Sequence, residues 1–154
     1  RDELDDARVV ATDLSPAALV VARANARDLD ASDRVRFVAA DVAAPLALDA
    51  FDLVAANPPY VAREALAEMS PDVPAFEPHL ALFAEDRGLR VIHRLLDAAV
   101  GLRPGVEMLM EIGYDQGNTV EEAVRRRSHL GWIELIRDYS GHPRVAVCRR
   151  SEGS

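Results

Sequence analysis

The sequence predicts an α/β fold with a doubly wound, mostly parallel β-sheet that ends in an antiparallel hairpin. Three observations support this prediction. Short β-branched runs alternate with helical apolar stripes along most of the chain. The early strands are apolar on both faces, which is typical of parallel strands covered by helices. The last two strand-like runs are joined by a short loop containing Gly141 and Pro143, which indicates a hairpin.

The N-terminal part predicts a strand followed by a helix. The run RVVAT at residues 8–12 is a short strand that ends at Asp13. Ser15 is a good N-cap and Pro16 suits the first helical position. We therefore expect a helix that extends to about Ala31. Its apolar stripe has helical spacing and consists of Leu19, Ala22, Ala26 and Leu29.

Two further strands and a long irregular segment follow. Residues 35–39 predict a strand that stops before Asp41, and the run FDLVAA at 51–56 predicts a buried strand that runs into Asn57. Residues 61–87 contain several prolines and show little periodicity. Long irregular segments in compact domains tend to be functional, so we expect this segment to border a site.

The C-terminal half continues the alternation. A helical stripe begins at Leu89 and closes at residues 103–105, where Pro104 and Gly105 end it. The run VEMLMEI at 106–112 predicts a strand, and a further helix is predicted around Val120 to Val124. The final strands are predicted at WIELI, residues 132–136, and RVAVCR, residues 144–149.

Composition narrows the class of protein. The 154 residues suit one domain, which we place over 1–154, and the composition of 49% hydrophobic and 29% charged residues is typical of a soluble globular protein without a membrane span. The single cysteine, Cys148, and the lack of a visible signal peptide favour the cytoplasm. The net charge of -8 makes nucleic acid an unlikely direct substrate. The four histidines show no metal-ligand spacing, so no metal is predicted.

Polar residues follow three successive strands of the predicted sheet. In such sheets, ligands bind outside the carboxyl ends of the strands, which is where Asp13, Asp41 and Asn57 lie. An acidic residue after the second strand of a nucleoside-binding sheet typically accepts hydrogen bonds from ribose hydroxyls, a role that fits Asp13. Asp41 could accept from an adenine amine, with Val42 packing on the ring. Each aspartate by itself is also compatible with a simple turn or helix cap.

The run Asn57–Pro58–Pro59–Tyr60 gives this site its specificity. Asn57 offers a side-chain carbonyl, and the rigid backbone at Pro58 can direct a main-chain carbonyl into the same space. Two adjacent acceptors bind both hydrogens of a planar NH2 group, and Tyr60 can stack on its flat face. This arrangement turns the nitrogen lone pair toward a third reactant. Because an amide or aromatic amine nitrogen is a poor nucleophile, positioning and electrostatic stabilisation are expected to do much of the catalysis. The alternative is a purely structural turn.

These motifs resemble a known enzyme family. NPPY after an apolar strand, with ATDLSPAALVVARANA at residues 11–26, is similar to class I S-adenosylmethionine-dependent methyltransferases that modify planar nitrogens. The stretches DVPAFEPHLALFAEDRGL at 72–89 and RDYSGHPRVAV at 137–147 look like the release-factor glutamine methyltransferase family. The resemblance implies a Rossmann-like fold, S-adenosyl-L-methionine as cofactor, and methylation of the glutamine side chain in the Gly-Gly-Gln loop of class I peptide release factors.

The resemblance also implies roles for individual residues. Asn57 and Pro58 would be catalytic and hold the substrate amide, with Pro59 and Tyr60 in the same pocket. Cofactor contacts would come from Asp13, Leu14, Asp41, Val42 and Asn57. Phe76, Glu77 and Pro78 would border the substrate pocket without an assigned chemical role.

One part of the family pattern is not in this sequence. The family's first strand, the glycine-rich loop after it and a small N-terminal helical domain would precede Arg8. We therefore expect a sheet that lacks its first strand, leaving the strands that end at Asp13 and Asn57 on either side of a gap. By itself, this chain is expected to bind S-adenosylmethionine weakly, to have little activity, and to rearrange, self-associate or aggregate.

Two other functions remain alternatives. A nucleic-acid methyltransferase that acts on adenine or guanine amines would use the same proline corner, residues 57–60. A non-catalytic fragment that has lost cofactor binding would keep the substrate-side surface without the chemistry.

Overall fold

The computed structural model describes residues 6–44, 46–59 and 89–152. The chain divides into two compact units, residues 1–46 and residues 47–154. The prediction of one domain over 1–154 stays a prediction. Tyr60, the irregular segment 61–87 and its Phe76–Glu77–Pro78 motif lie outside the described residues.

The first unit contains two parallel strands and one helix. Strand β1 (Val9–Asp13) pairs with β2 (Val35–Ala39), and helix α1 (Pro16–Asp28) connects them. The predicted cap is confirmed, since the Ser15 Oγ accepts a hydrogen bond of 3.3 Å from the Ala18 N–H. The helix ends before Ala31, because Asp30 turns the chain with a φ of 53°, a left-handed conformation that aspartate tolerates better than most residues.

The second unit contains a four-stranded mixed sheet in the order β3-β4-β6-β5. Strands β3 and β4 are parallel, and β6 is antiparallel to both β4 and β5, so the predicted C-terminal hairpin is confirmed. The elements of this unit are β3 (Leu53–Ala56), α2 (Leu89–Ala98), β4 (Glu107–Glu111), α3 (Gly117–Arg125), β5 (Leu130–Arg137) and β6 (Pro143–Arg150), with 3₁₀ turns at Leu48–Ala50 and Ala99–Gly101.

One face of this sheet forms the main core. Alternate residues of β4, Met108 and Met110, are buried, as are Ala146 and Cys148 on the paired strand β6. The apolar stripes of both helices complete the cluster, as the helical spacing predicts. The helix residues that are fully buried there are Ile92, Leu96, Val120 and Val124.

The other face is more open, and here one expectation is wrong. Strands β1 and β3 were expected to be covered on both faces, but the side chains of Val9 and Leu53 are 47% and 51% exposed. Burial alternates along β4 and β3, as it does in a sheet covered on one face. Among the described residues, β1 pairs only with β2 and β3 pairs only with β4. In the part of the chain that the structure describes, β1 and β3 each lie at an edge of their own sheet.

A polar loop closes the C-terminal hairpin. The Asp138 carboxylate accepts hydrogen bonds from the N–H groups of Ser140 and His142 and from the Arg144 guanidinium, which hold the pKa of Asp138 below its usual value. Gly141 has a φ of 82°, which explains why glycine suits this turn. The loop is thus fixed by its own side chains.

Helices α2 and α3 are joined by an arginine clamp. The Nε of Arg127 donates to the Asp97 carboxylate at 2.7 Å, while its other nitrogens contact the carbonyls of Ala123 and His93. The hydrogen bond from Arg127 lowers the pKa of Asp97. The neighbouring Arg125 and Arg126 form ion pairs one helical turn back, with Glu121 and Glu122.

None of the helices in the described part of the chain is long and apolar enough to cross a membrane.

Candidate functional site

Asp13 lies at the carboxyl end of β1, where the sequence predicts it. One oxygen of its carboxylate accepts a hydrogen bond of 2.6 Å from the Ser15 N–H, and the residue is exposed. This bond fixes the turn between β1 and α1. A carboxylate accepts about four hydrogen bonds, so Asp13 retains the capacity to bind a pair of hydroxyl groups. The next residue, Leu14, presents a side chain that is 58% exposed.

The turn after β2 contains a strained residue. Val42 has a φ of 61°, a conformation in which a β-branched side chain meets its own backbone. Asp41 and Ala44 form an isolated antiparallel bridge around it, and the Thr12 hydroxyl lies 3.5 Å from the Val42 carbonyl. Such outliers are enriched at ligand sites. The sequence indicated Val42 as a binding residue, but its strain has no signal in the sequence.

The described part of the proline corner, residues 57–59, begins directly after β3. Asn57 is exposed, Pro58 is buried and Pro59 is partly buried. Burial of the Pro58 ring anchors the corner to the second unit, and neither proline has an N–H that would need a partner. The side chain of Asn57 therefore projects from a rigid backbone.

Asn57 lines an open cleft of about 400 Å³ at the carboxyl ends of β3 and β4. Parallel strands direct ligands to this edge of a sheet, so its position agrees with the prediction. Its walls are apolar apart from two side chains, one amide and one carboxylate. The lining residues are Ala55, Ala56, Asn57, Leu109, Glu111 and Val145.

The register of the sheet explains why Glu111 is in this cleft. Ala55 pairs with Leu109 and Ala56 with Met110, so Asn57 is in line with Glu111 at the next position. Residues in register on neighbouring parallel strands point to the same face, about 4.8 Å apart. From its place at the end of β4 in the sequence, Glu111 could face a pocket, face solvent or cap a helix. The structure places it on the pocket wall.

The turn after β4 is held by a buried glutamine that the sequence analysis missed. Gln116 is only 5% exposed, and its side-chain oxygen accepts a hydrogen bond of 2.8 Å from the Gly113 N–H. A Cβ at Gly113 would lie 3.1–3.2 Å from the side chains of Asp115 and Gln116. Asp115 and Gln116 are both polar and both precede the helix, so the sequence does not indicate which of them holds the turn. The bond stabilises the chain immediately after Glu111.

The structure groups the predicted site residues into two sets. Asp13 and Asp41 follow paired strands of the first unit, together with Leu14 and Val42. The second unit contains the run 57–59 at its cleft. Their assignment to cofactor and substrate stays a prediction.

Other chemistry finds little support in the described part of the chain. Its histidines, cysteine and carboxylates form no group of three that could hold a metal ion. Burial raises the pKa of the Cys148 thiol to about 11, so this cysteine is not a nucleophile at neutral pH.

Comparison with known proteins supports the resemblance. Residues 1–70 match the model of the methyltransferase small domain. The chain is 42% identical over 150 residues to the release factor glutamine methyltransferase of Moorella thermoacetica, covering 97% of this chain and 53% of that protein. It is 38% identical to the enzyme of the same name from Gloeobacter violaceus, covering 94% and 51%. The chain thus spans about half the length of these relatives.

Solved structures show the fold. A methyltransferase from Pyrococcus furiosus superposes with a TM-score of 0.64 at 17% identity, covering 93% of this chain and 62% of that one. An RNA methyltransferase from Salinibacter ruber, in complex with S-adenosyl-L-homocysteine, superposes with a TM-score of 0.53 at 17% identity, covering 96% and 68%. The chain therefore has the α/β fold of class I methyltransferases, as predicted.

Proposed function

We propose that the natural polypeptide containing this chain is an S-adenosylmethionine-dependent methyltransferase that modifies peptide chain release factors. Its target would be the side-chain amide nitrogen of the glutamine in their Gly-Gly-Gln motif. The observation that supports this most strongly is the similarity to release factor glutamine methyltransferases over nearly the whole chain, at 42% identity to the Moorella protein. Modification of a translation factor would take place in the cytoplasm.

The cleft in the second unit suits a glutamine side chain. A primary amide is flat and has two N–H donors, and in the proposal these are bound by the Asn57 side-chain oxygen and the Pro58 carbonyl. The apolar walls at Leu109 and Val145 can contact the methylene groups of the side chain. Both acceptors are attached to a rigid corner, so little ordering is needed on binding.

The first unit suits a nucleoside. In the proposal, the Asp13 carboxylate binds the two ribose hydroxyls and Asp41 accepts from the adenine amine. Leu14 and the strained Val42 offer apolar surface beside these acceptors. When bound, S-adenosylmethionine would supply an electrophilic methyl group and leave as the neutral thioether S-adenosylhomocysteine, and the methylated nitrogen would lose one proton to water. The protein's own contribution is to orient the amide nitrogen and to stabilise the positive charge that develops on it, through the two carbonyl acceptors.

The direct test is methylation of a purified release factor. The natural polypeptide, labelled cofactor and a release factor should give a single methyl group on the Gly-Gly-Gln glutamine, identified by peptide mass spectrometry. A release factor with that glutamine replaced by alanine is the matched control and should stay unmodified. Methylation of adenine or guanine amines in DNA or RNA, with none on the release factor, would instead support the nucleic-acid alternative.

A further inference from the structure

Asn57 can serve as an acceptor only if its amide group is turned the right way. The side chain has a carbonyl oxygen on one side and an NH2 group on the other, and rotation by 180° exchanges them. With the oxygen toward the substrate, Asn57 accepts from an N–H group. With the NH2 group toward the substrate, it presents two donors to two donors, which is repulsive.

We propose that Glu111 is the positioning residue that selects the productive orientation of Asn57. This inference rests on the proposed function, because it explains how the acceptor for the glutamine amide is kept in place. An ionised carboxylate only accepts hydrogen bonds. Beside Asn57, it stabilises the orientation in which the NH2 group points to Glu111 and the oxygen points to the substrate.

The sheet supplies the geometry for this interaction. The register of β3 and β4 runs to the pair Ala56 and Met110, and Asn57 and Glu111 are the next residues of the two segments. Continued for one residue, strand spacing places their backbones about 4.8 Å apart. Both residues line the same cleft. A glutamate side chain spans that distance with its carboxylate. A carboxylate has about four acceptor positions, so this role is compatible with other hydrogen bonds to Glu111.

The surroundings of Glu111 fix the position of its backbone. The residue is partly buried, and it pairs with Val145 across the antiparallel side of β4. The Gln116–Gly113 hydrogen bond holds the turn that follows. A fixed backbone and partial burial limit the conformations open to the side chain, so the carboxylate loses less conformational entropy when it binds Asn57.

Exchanging the amide and carboxylate groups between positions 57 and 111 tests the proposal in the natural polypeptide. Glu111→Gln offers Asn57 an NH2 group as well as an oxygen, so selection is lost, and kcat for release-factor methylation should fall about 10-fold with little change in KM for S-adenosylmethionine. Asn57→Asp places two carboxylates side by side, so its kcat should be lower than that of Glu111→Gln. The double variant Asn57→Asp with Glu111→Gln restores a donor opposite an acceptor and should recover at least about 10-fold over Asn57→Asp.

If Glu111 had only a general structural role, its substitution would not restore activity in any background. Glu111→Gln should be harmful beside Asn57 and beneficial beside the aspartate at position 57. Equal losses in both backgrounds would overturn the proposal. Glu107→Gln is the matched control, since Glu107 lies on the same strand and face but pairs with Arg149 outside the cleft. It should leave kcat unchanged.

A second measurement does not depend on the substrate. In the nuclear magnetic resonance spectrum of the native polypeptide, the side-chain NH2 signals of Asn57 should shift on Glu111→Gln and stay in place on Glu107→Gln. Unchanged Asn57 signals in both variants would overturn the role of Glu111. Absence of release-factor methylation by the native polypeptide, with the shift present, would overturn the proposed function and leave the Asn57–Glu111 pairing supported.

Discussion

The two units of the chain differ in how much core they contain. Among the described residues, the first unit buries three apolar side chains, Leu19, Ala26 and Ala40, and the second unit contains all of the others. Helix α1 also has Val20 and Val21 more than half exposed. A unit with so little buried apolar surface gains little from the hydrophobic effect. We therefore expect the core to contribute more to the stability of the second unit than to that of the first.

The two units are also proposed to bind different molecules, the cofactor in the first and the substrate amide in the second. Substitutions in these two sites are expected to have the largest effects. Asn57→Ala, in the second unit, should lower kcat by about 100- to 1,000-fold because it removes an acceptor for the reacting group. Asp13→Ala, in the first unit, should instead raise KM for S-adenosylmethionine about 10- to 100-fold. Steady-state kinetics with each substrate varied in turn separates the two.

The controls for this pair are exposed residues of the same types, Asn118→Ala in the second unit and Asp33→Ala in the first. Both should behave like the native polypeptide. If Asp13→Ala changed kcat alone, the assignment of the first unit to the cofactor would be wrong.

Core truncation gives the next largest effect. Leu96→Ala should lower the free energy of unfolding by about 3 kcal/mol, because Leu96 is fully buried in the main cluster. Leu19→Ala should lower the free energy of unfolding by about half as much, because few buried apolar residues surround Leu19 and they can relax around the lost methyl groups. Urea denaturation followed by circular dichroism measures both. Equal losses would show that the first unit is packed as firmly as the second.

Loss of the α1 cap should have a smaller effect that is confined to the first unit. Ser15→Ala removes the acceptor for the Ala18 N–H and should destabilise that unit by about 1 kcal/mol. Hydrogen exchange of the α1 amides should rise while that of β4 stays the same. Ser128→Ala, at an exposed turn of the second unit, is the control. Faster exchange in both units would argue against their independence.

The smallest effect concerns the arginine clamp of the second unit. The pKa of Asp97 is lower in the folded chain than in the unfolded one, so its ion pair with Arg127 stabilises the fold at neutral pH. This contribution is lost as the pH falls below about 4 and Asp97 becomes protonated. Asp97→Asn should therefore be less stable by up to about 1 kcal/mol at pH 7, since the carboxylate is largely exposed.

Thermal denaturation at pH 7 and pH 3 tests this pH dependence. The gap between the native chain and Asp97→Asn should narrow at the lower pH. A gap that stays constant would mean that the clamp acts through neutral hydrogen bonds.

Sequence reasoning succeeded where local chemistry decides the structure. Ser15 and Pro16 mark the start of α1, and the β-branched run at 35–39 forms β2 as predicted. It was less accurate where long-range pairing decides. The exposure of Leu53 depends on which elements cover β3, and the position of Glu111 in the cleft depends on the register between β3 and β4. Neither can be derived from spacing along the chain.

The candidate site shows the same limit. Asp13, Asp41 and Asn57 could be selected because they follow apolar strands, and strand ends bind ligands. The left-handed conformation of Val42 and the bond from Gly113 to Gln116 arise from the folded backbone. The residue types in these stretches do not predict either feature.

The burial of Cys148 gives the molecule a built-in reporter. It is the only cysteine in the chain, it is inaccessible in the middle of β6, and its pKa of about 11 keeps the thiol protonated. A thiol reagent can therefore react only when the four-stranded sheet opens. The rate of alkylation at a single native position then measures the opening of the second unit, without a dye or an engineered label, while the first unit stays silent.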